Sequence, residues 1–173
     1  MKYIYTPWRE EYIKKLYTMD ECIFCHALKQ KNDKKALIVH RGVFNFIMLN
    51  RYPYTSGHVM IVPYRHISLF EQAKKEGTDE MMDLCKMSVK ILKKKYNAHG
   101  FNTGMNLGHS AGAGVAGHYH LHVIPRWVGD SNFMPIVGKT KLTIEDLDTT
   151  YESLLPLFKK EQPKLRKTAR SKQ

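Results

Sequence analysis

The stretch that decides the fold reads His118-Tyr119-His120-Leu121-His122-Val123-Ile124-Pro125-Arg126-Trp127. Its histidines alternate with apolar residues. This period of two predicts a β-strand, which turns alternate side chains to one face. The three imidazoles are therefore expected to point the same way, with about 7 Å between neighbours at about 3.3 Å of rise per residue. The alternating apolar residues expected to face the protein core are Tyr119, Leu121 and Val123.

Three imidazoles on one strand face are hard to explain as packing, because each ring carries a donor and an acceptor that need partners. One alternative is a half-exposed strand with its polar side chains outward, and another is a metal site. We favour a catalytic site, because a glycine-rich loop comes directly before the three aligned histidines.

That loop, Gly108–Gly117, consists almost entirely of small residues. Its glycines let backbone N–H groups turn toward an anion, and Ser110 adds a hydroxyl donor. Alone, such a loop is more often a plain tight turn. Beside three histidines it indicates the anion-holding half of a phosphoryl-transfer site. There, a neutral imidazole nitrogen would attack phosphorus to form a phosphoramidate, and a second nucleophile would then break the P–N bond and release the nucleotide.

Composition and charge indicate one globular domain with a basic tail. The chain has 173 residues, 43% of them hydrophobic, and a formal net charge of +12. Residues 159–173 hold seven Lys or Arg and one Glu and so supply +6 of that charge. We predict a domain over 1–158 and a mostly disordered tail over 159–173, to which any nucleic-acid contact would be confined. The modestly basic body suits a small anionic substrate.

The compartment is predicted to be cytoplasmic. No run of about 18 apolar residues is present, so we expect no membrane span, and the first residues resemble no secretory signal. An odd number of cysteines, three, argues for a reducing compartment. Cys85 falls on the apolar face of a predicted helix and is expected to be a small core residue.

Periodicity predicts an α+β fold, in which an antiparallel sheet is accompanied by a long helix and a C-terminal helix. The long helix is expected to begin after Thr78 as N-cap and to run to about Asn97, with Gly100 supplying the stop. The C-terminal helix is expected over 143–158, capped by Thr143 and disturbed near its end by Pro156. Further elements are expected over 10–17, as a short helix, and over 36–40, 44–49, 58–63, 101–107 and 118–126, as strands.

The histidine stretch fits the pattern His-φ-His-φ-His-φ-φ, where φ is hydrophobic, and so resembles the signature of the histidine triad (HIT) superfamily. Residues 49–60 resemble the family's second hallmark, a strand, an acid or amide, and a loop closing on Gly-His. The resemblance covers residues 3–158 and implies a HIT-like sheet and a homodimer. The motifs that resemble one branch, the bacterial-type diadenosine tetraphosphate phosphorylases, are Pro7-Trp8-Arg9, Asn106-Leu107-Gly108, Pro125-Arg126-Trp127 and Gly129-Asp130-Ser131-Asn132-Phe133.

This resemblance implies roles for individual residues. His120 would be the nucleophile that becomes nucleotidylated, with His118 and His122 orienting it and contacting phosphate or the leaving group. Asn50 stands where the family binds a ribose hydroxyl, and the alternative is an Asn that caps the turn. The other implied nucleotide contacts are Asn106, Gly108, Ser110, Gly112 and Gly114 for phosphate, and Ile23 and Phe24 for the base.

Two of these implied contacts have competing interpretations. Core packing explains Ile23 and Phe24 nearly as well as a base pocket does. Many relatives carry Ser or Thr shortly before the first histidine, where this chain has Gly114. A hydroxyl contact to the α-phosphate is therefore either missing or supplied by Ser110.

A C-x-x-C pair raises the question of a metal. With His66 and His118, Cys22 and Cys25 make a Cys₂His₂ set suited to tetrahedral zinc, and some HIT members and related uridylyltransferases resemble this arrangement. We predict structural Zn²⁺; two ordinary reduced cysteines beside a surface histidine are the alternative. A His118 that binds zinc is less free to contact phosphate.

The resemblance implies cleavage of diadenosine tetraphosphate by orthophosphate to ADP and ATP, through a covalent His120–AMP. Two alternatives share the first step: a hydrolase that uses water, and a purine-nucleotide phosphoramidase. An alternative of another class is a non-catalytic nucleotide- or RNA-binding regulator. It would explain the basic tail, but not the intact central histidine.

Overall fold

The computed structural model of the protein describes residues 21–130 and 145–161, which form an antiparallel sheet flanked by helices. The sheet has five strands in the order β1-β2-β3-β5-β4. This architecture confirms the predicted α+β fold. Helices α1 to α4 cover Ile23–Lys29, Asp33–Ala36, Lys75–Tyr96 and Leu147–Lys160, and strands β1 to β5 cover Ile38–Arg41, Asn45–Leu49, Val59–Pro63, Gly100–Gly104 and Leu121–Arg126.

One face of the sheet packs against α3 and α4 to form the main core. Strand side chains on this face, such as Ile47 and Ile61, are fully buried. The helices contribute Met81, Leu84, Cys85, Met87, Ile91, Leu92, Tyr151, Leu154 and Phe158. The predicted core residues Tyr119, Leu121, Val123 and Cys85 all belong to this cluster.

The opposite face of the sheet is covered by α1 and α2. A second buried cluster joins Phe24 and Ala27 of α1 to strand residues such as Phe46 and Met60. Neighbours along a strand point to opposite faces, so His122, which lies between two residues of the main core, must point to this second face. Helix α1 and the histidine stretch therefore share one side of the sheet.

The structure corrects the predicted start of the histidine strand. Strand β5 begins at Leu121, so the first two histidines precede it. Pro63, at the end of the neighbouring strand β3, has no N–H with which to extend the ladder. The N–H of Tyr119 donates instead to a carbonyl in the segment after β3, at 2.9 Å.

Helix α3 begins earlier than predicted but ends where predicted. It starts at Lys75, and the hydroxyl of Thr78 donates to the Lys75 carbonyl within the first turn. The prediction started too late because the apolar stripe on which it relied begins only at Met81. The last residue of the helix is Tyr96, and its C-cap is Asn97, which is in the left-handed conformation (φ 48°, ψ 42°) that asparagine tolerates. Gly100, the predicted stop, begins β4.

Helix α4 runs past its predicted end. Its N-cap is Asp146, whose carboxylate accepts the N–H of Thr149 at 2.7 Å. Pro156 does not end the helix, which continues to Lys160, because the proline lies on the exposed side of the helix and its buried side keeps its core contacts. The first two residues of the predicted tail therefore belong to α4.

Some predictions fall on residues that the structure does not describe. These are the short helix over 10–17, the cap Thr143, most of the tail, the motif Pro7-Trp8-Arg9 and the last three residues of the motif Gly129-Asp130-Ser131-Asn132-Phe133. Within the described ranges, no helix is long and apolar enough to cross a membrane.

A buried carboxylate ties α3 to the turn between β1 and β2. Glu80 is 8% exposed and accepts the backbone N–H groups of Val43, Phe44 and Asn45 at 2.6, 2.7 and 2.8 Å. The side-chain amide of Asn45 donates to the same carboxylate at 2.8 Å. A side chain at Gly42 would clash with this carboxylate, because an added Cβ would lie 2.8 Å from Oε1 of Glu80. These donors compensate the lost hydration of the carboxylate and anchor the helix beneath the sheet.

Candidate active site

The rings of the three histidines lie together on the side of the sheet that α1 covers. His118 is fully buried, His120 is 6% exposed and His122 is half-buried. The ring centroids of His120 and His122 are 4.8 Å apart. The ring of Phe24 lies 5.3 Å from that of His118 and 4.8 Å from that of His120. The rings therefore share one side, as predicted, although only one of them lies in a regular strand.

Backbone carbonyls determine which nitrogen of each of the first two rings carries the proton. Nε2 of His118 lies 2.9 Å from the carbonyl oxygen of Pro63, and Nδ1 of His120 lies 3.0 Å from the carbonyl oxygen of His118. A carbonyl oxygen can only accept, so each of these nitrogens is the N–H donor. In the neutral rings, the lone pair is then on Nδ1 of His118 and on Nε2 of His120.

Burial keeps these rings neutral. It lowers the pKa of His118 to about 4, against the opposing effect of the hydrogen bond to Pro63. Burial also lowers the pKa of His120, and the hydrogen bond to the His118 carbonyl opposes the shift. An imidazole that acts as a nucleophile must be neutral at the attacking nitrogen, so the surroundings of His120 favour that form.

The third ring is oriented by a histidine that the sequence prediction left out of the site. Nε2 of His58 lies 2.9 Å from Nδ1 of His122, and Nδ1 of His58 accepts the N–H of Tyr54 at 3.1 Å. Because Nδ1 of His58 accepts, its Nε2 carries the proton and donates to His122. His122 then carries its own proton on Nε2, where it can donate to an anion.

His58 is 1% exposed, and its ring stacks on that of Tyr54 at 5.0 Å and 22°. The available sequence signal was the Gly57-His58 pair that closes the loop before β3. Gly57 has φ of 74°, and an added Cβ there would lie 2.6 Å from the ring of Tyr96. Glycine is therefore required beside this buried histidine.

We predict that acid weakens the fold through His122. Burial, aided by the neighbouring His120, lowers the pKa of His122 to about 4, whereas an unfolded histidine titrates near pH 6.5. As the pH falls from about 6.5 to about 4, the unfolded state binds the proton first. The free energy of unfolding then falls by up to about 1.4 kcal/mol per pH unit for this group.

Denaturant titrations at about pH 7 and about pH 5 measure this loss. His122→Asn is the matched variant, because an amide can still accept the proton of His58 but does not titrate. The variant should lose less stability than the wild type between the two pH values. Equal losses would contradict the prediction.

Asn50 belongs to the same hydrogen-bond network. Its carbonyl oxygen accepts the N–H of Tyr52 at 2.9 Å, and its amide nitrogen lies 3.4 Å from Nδ1 of His58. The oxygen therefore caps the turn, as the alternative interpretation held. A carbonyl oxygen has a second lone pair, so the predicted ribose contact is compatible with this cap and stays a prediction.

The two residues predicted to line the base pocket lie in α1. Phe24 is 1% exposed and packs into the second buried cluster and against the histidine rings. Ile23 is partly buried against the same cluster. The packing interpretation thus fits Phe24, and Ile23 keeps some exposure. The predicted base contacts of both residues stay a prediction.

The glycine-rich loop contains a 3₁₀ turn over His109–Ala111. Gly108 and Gly112 flank this turn with φ of 81° and 80°, values that favour glycine. An added Cβ at either position would meet no atom within 4 Å. The backbone angle, rather than crowding, therefore accounts for these two glycines.

The other predicted phosphate contacts lie on the same exposed stretch. Asn106 is half-buried, and Ser110 and Gly114 are exposed. Among the described residues, no hydrogen bond joins these three to the histidines. A bond of 3.3 Å from the His118 N–H to the Val115 carbonyl connects the loop to the site. Their phosphate contacts stay a prediction.

The four predicted zinc ligands converge beside the histidine rings, and we call Cys22, Cys25, His66 and His118 the cysteine–histidine cluster. Nδ1 of His118 lies 3.4 Å from Sγ of Cys22 and 3.8 Å from Sγ of Cys25, and Nδ1 of His66 lies 3.4 Å from Sγ of Cys25. All four ligand atoms lie within 4.8 Å of one another. Tetrahedral zinc with Zn–S of about 2.3 Å and Zn–N of about 2.0–2.1 Å separates S from N by about 3.5 Å. The cluster therefore fits the ion.

Comparison with known proteins finds one matching family profile and several similar sequences. Residues 29–128 match the family profile described as HIT domain. The AP-4-A phosphorylase of Mycobacterium tuberculosis is 43% identical over 115 residues, which are 66% of this chain and 59% of that protein. An uncharacterized HIT-like protein of Methanocaldococcus jannaschii is 32% identical over 133 residues, 77% of this chain and 98% of that protein. The chain thus spans about three fifths of the phosphorylase's length.

Two solved structures show the same fold. A zinc-bound histidine triad family protein from Mycobacterium smegmatis superposes with a TM-score of 0.66 at 21% identity, covering 81% of this chain and 94% of that one. The diadenosine triphosphate hydrolase of Plasmodium falciparum gives a TM-score of 0.59 at 17% identity, covering 75% and 77%. At such identities the likeness concerns the fold alone.

Proposed function

The chain belongs to the HIT domain family, and from this premise we propose that it cleaves diadenosine tetraphosphate with orthophosphate, giving ADP and ATP through a covalent His120–AMP. The similarity to the mycobacterial phosphorylase supports this substrate and this acceptor. The proposal concerns nucleotidyl transfer, in which the adenylyl group moves first to the protein and then to phosphate.

The single observation that carries the proposal is the hydrogen bond from Nδ1 of His120 to the His118 carbonyl, at 3.0 Å. It leaves the lone pair on Nε2 of a buried, neutral ring. In the first step Nε2 attacks the α-phosphorus, a P–N bond forms, and the bond to the bridging oxygen breaks so that ATP leaves. In the second step orthophosphate attacks the same phosphorus, the P–N bond breaks, and ADP leaves with the ring neutral again.

His122 would assist the nucleophile from beside it. The proton on its Nε2 can donate to a phosphoryl oxygen, while His58 holds the ring through Nδ1 at 2.9 Å. A donor held in place before the reaction stabilises developing charge without having to reorganise. We assign His122 to phosphate or leaving-group contact and His58 to positioning His122.

We propose structural Zn²⁺ in the cysteine–histidine cluster. Its donor set and spacing match tetrahedral zinc, and the lone pair of His118 faces the two cysteines. When bound, the ion would cross-link α1, the segment after β3 and the histidine stretch. We therefore assign His118 to the metal rather than to phosphate, because one of its nitrogens faces the cysteines and the other donates to Pro63.

The remaining assignments concern nucleotide binding and assembly. We propose that Asn50 accepts a ribose hydroxyl and that the glycine-rich loop holds phosphate through its backbone N–H groups. We also propose a homodimer, since β4 is an edge strand with no neighbour on its outer side among the described residues. Any nucleic-acid contact would involve the basic residues after α4. We also propose that the protein is located in the cytoplasm.

Product analysis tests the proposal. The protein is incubated with diadenosine tetraphosphate in phosphate-free buffer and in buffer with orthophosphate, and the nucleotides are separated. We expect ADP and ATP in equal amounts, with turnover that depends on phosphate. AMP and ATP formed whether or not phosphate is present would instead identify a hydrolase, because water would then complete the second step.

A third outcome separates the remaining alternatives. If no turnover occurs under either condition, the protein is tested with adenosine phosphoramidate. Release of AMP would identify the phosphoramidase. Nucleotide binding without any turnover would identify a non-catalytic binding protein and would refute the proposal.

A further inference from the structure

The cysteine–histidine cluster and the proposed nucleophile are joined through one residue. Nδ1 of His118 lies 3.4 Å from Sγ of Cys22, while the backbone carbonyl of the same His118 accepts the proton of His120 Nδ1 at 3.0 Å. His118 is fully buried, and its other nitrogen donates to Pro63. A shift of this residue would therefore move the acceptor that orients the His120 ring.

A second connection runs through α1. Phe24 lies between Cys22 and Cys25 in the chain, is 1% exposed, and places its ring against both His118 and His120. Ligation of the two cysteines would hold the turn that carries Phe24. It would therefore also hold the Phe24 ring against His120, the proposed nucleophile. The cluster is thus linked to the His120 ring in two ways, through the backbone carbonyl of His118 and through the ring of Phe24.

Helix α1 has little to hold it in place by itself. It contains seven residues, and its N-cap, Cys22, makes no side-chain capping hydrogen bond. Isolated helices shorter than about 12–15 residues are marginal in water, so α1 depends on tertiary contacts. Its buried residues are Phe24 and Ala27. Ligation of the two cysteines would add the anchor at the end nearest the active site.

We propose that zinc in the cysteine–histidine cluster is a positioning device for the nucleophile: it holds the His118 carbonyl and the Phe24 ring where they fix the orientation and proton position of His120. This inference rests on the proposed function and deepens it. The cysteines, His66, His118 and Phe24 act through His120 and are positioning residues. Loss of the ion should then lower kcat and change KM little, because the proposed ribose and phosphate contacts, Asn50 and the glycine-rich loop, lie outside α1 and the cluster.

A matched pair of variants at His66 tests this. His66 is exposed and would ligate through Nδ1, the nitrogen nearer the backbone, which lies 3.4 Å from Sγ of Cys25. His66→Ala removes a ligand, whereas His66→Cys supplies a thiolate of similar reach. Zinc content, kcat and KM for diadenosine tetraphosphate are measured for both variants, and for the wild type before and after chelation. The ¹⁵N NMR signals of the His120 ring report which nitrogen carries the proton.

We expect zinc-free protein to lose at least about tenfold in kcat with KM within about threefold of the zinc-loaded value. The His120 signals should change from one form protonated at Nδ1 to an exchanging mixture. His66→Cys should restore the zinc content, the rate and the single form. A kcat within about twofold and an unchanged spectrum in zinc-free protein would overturn the inference, as would a failure to bind zinc.

Two further outcomes are distinguishable. If zinc-loaded wild type does not turn over the dinucleotide but its His120 spectrum responds to zinc, the proposed function fails and the positioning role stands. If zinc-free protein unfolds, the variant Phe24→Leu tests the positioning role instead. It keeps the metal ligands and removes the aromatic ring that packs against His120. We expect zinc retention with about tenfold lower kcat; a rate within about twofold of wild type would refute the role.

Discussion

His120→Ala is expected to lower turnover of diadenosine tetraphosphate by on the order of 10⁴-fold or more, while nucleotide binding survives within about threefold. The variant removes the nitrogen that forms the P–N bond, and no neighbouring ring can replace it. Nδ1 of His118 faces the cysteines, and Nδ1 of His122 accepts from His58. Steady-state kinetics measure the loss of turnover, and titration with a non-cleavable dinucleotide measures binding.

An assay for the covalent intermediate and a control variant test this expectation further. Wild-type protein incubated without orthophosphate and quenched in alkali, which preserves the acid-labile P–N bond, should carry one adenylyl group by mass spectrometry, and the variant should carry none. His26→Ala is the matched control, because that imidazole belongs to α1 but its side chain is 51% exposed and faces Glu21. It should keep wild-type turnover. Retention of more than about a tenth of the activity by His120→Ala would assign the nucleophile to another group.

The second large effect concerns stability. Cys22→Ala is expected to abolish stoichiometric zinc and to lower the free energy of unfolding by at least about 3 kcal/mol, a fraction of the about 10–16 kcal/mol seen for structural zinc in zinc-finger peptides. For a chain of this size, the loss corresponds to a fall in Tm of about 6–12 °C. The reason is that Cys22 and His118, 96 positions apart in the chain, would no longer be cross-linked through the metal.

Metal analysis and thermal unfolding of untagged protein, with and without a chelator, measure both effects. Cys85→Ala is the control cysteine variant, because Cys85 is buried in the main core away from the cluster. It should keep its zinc and lose only about 1 kcal/mol of stability. If the wild type melts at the same temperature with and without chelator and contains no zinc, the metal assignment is wrong.

Local pattern was enough to predict much of the fold. The alternation from His118 to Val123 correctly separated the side chains of the two sheet faces, because strand geometry depends only on neighbouring residues. The errors lie at element ends. Thr78 and Gly100 were good capping types that the chain does not use as caps, since the start of α3 and its Asn97 end depend on backbone angles and contacts that propensity does not encode.

The candidate site was predicted less completely than the fold. The histidine stretch and the four members of the cluster were identified from residue type and resemblance, but His58 was left out of the site. Nothing in the Gly57-His58 pair indicates that this ring meets His122, 64 positions later in the chain. Phe24 was assigned to a base pocket or to the core. Its 1% exposure shows that it packs in the core, and its contact with a base stays a prediction.

By itself, the sequence determined the α+β class, the alternation that turns the three histidine rings to one side, and the residue types able to bind zinc or attack phosphorus, because these follow from local periodicity and side-chain chemistry. Tertiary structure alone decided which nitrogen of His118 and which nitrogen of His122 is the donor. That choice depends on partners distant in the chain: the Pro63 carbonyl for His118, and His58 for His122. A histidine's neighbours in sequence do not specify its hydrogen-bond partners; the pairing of β3 with β5 does.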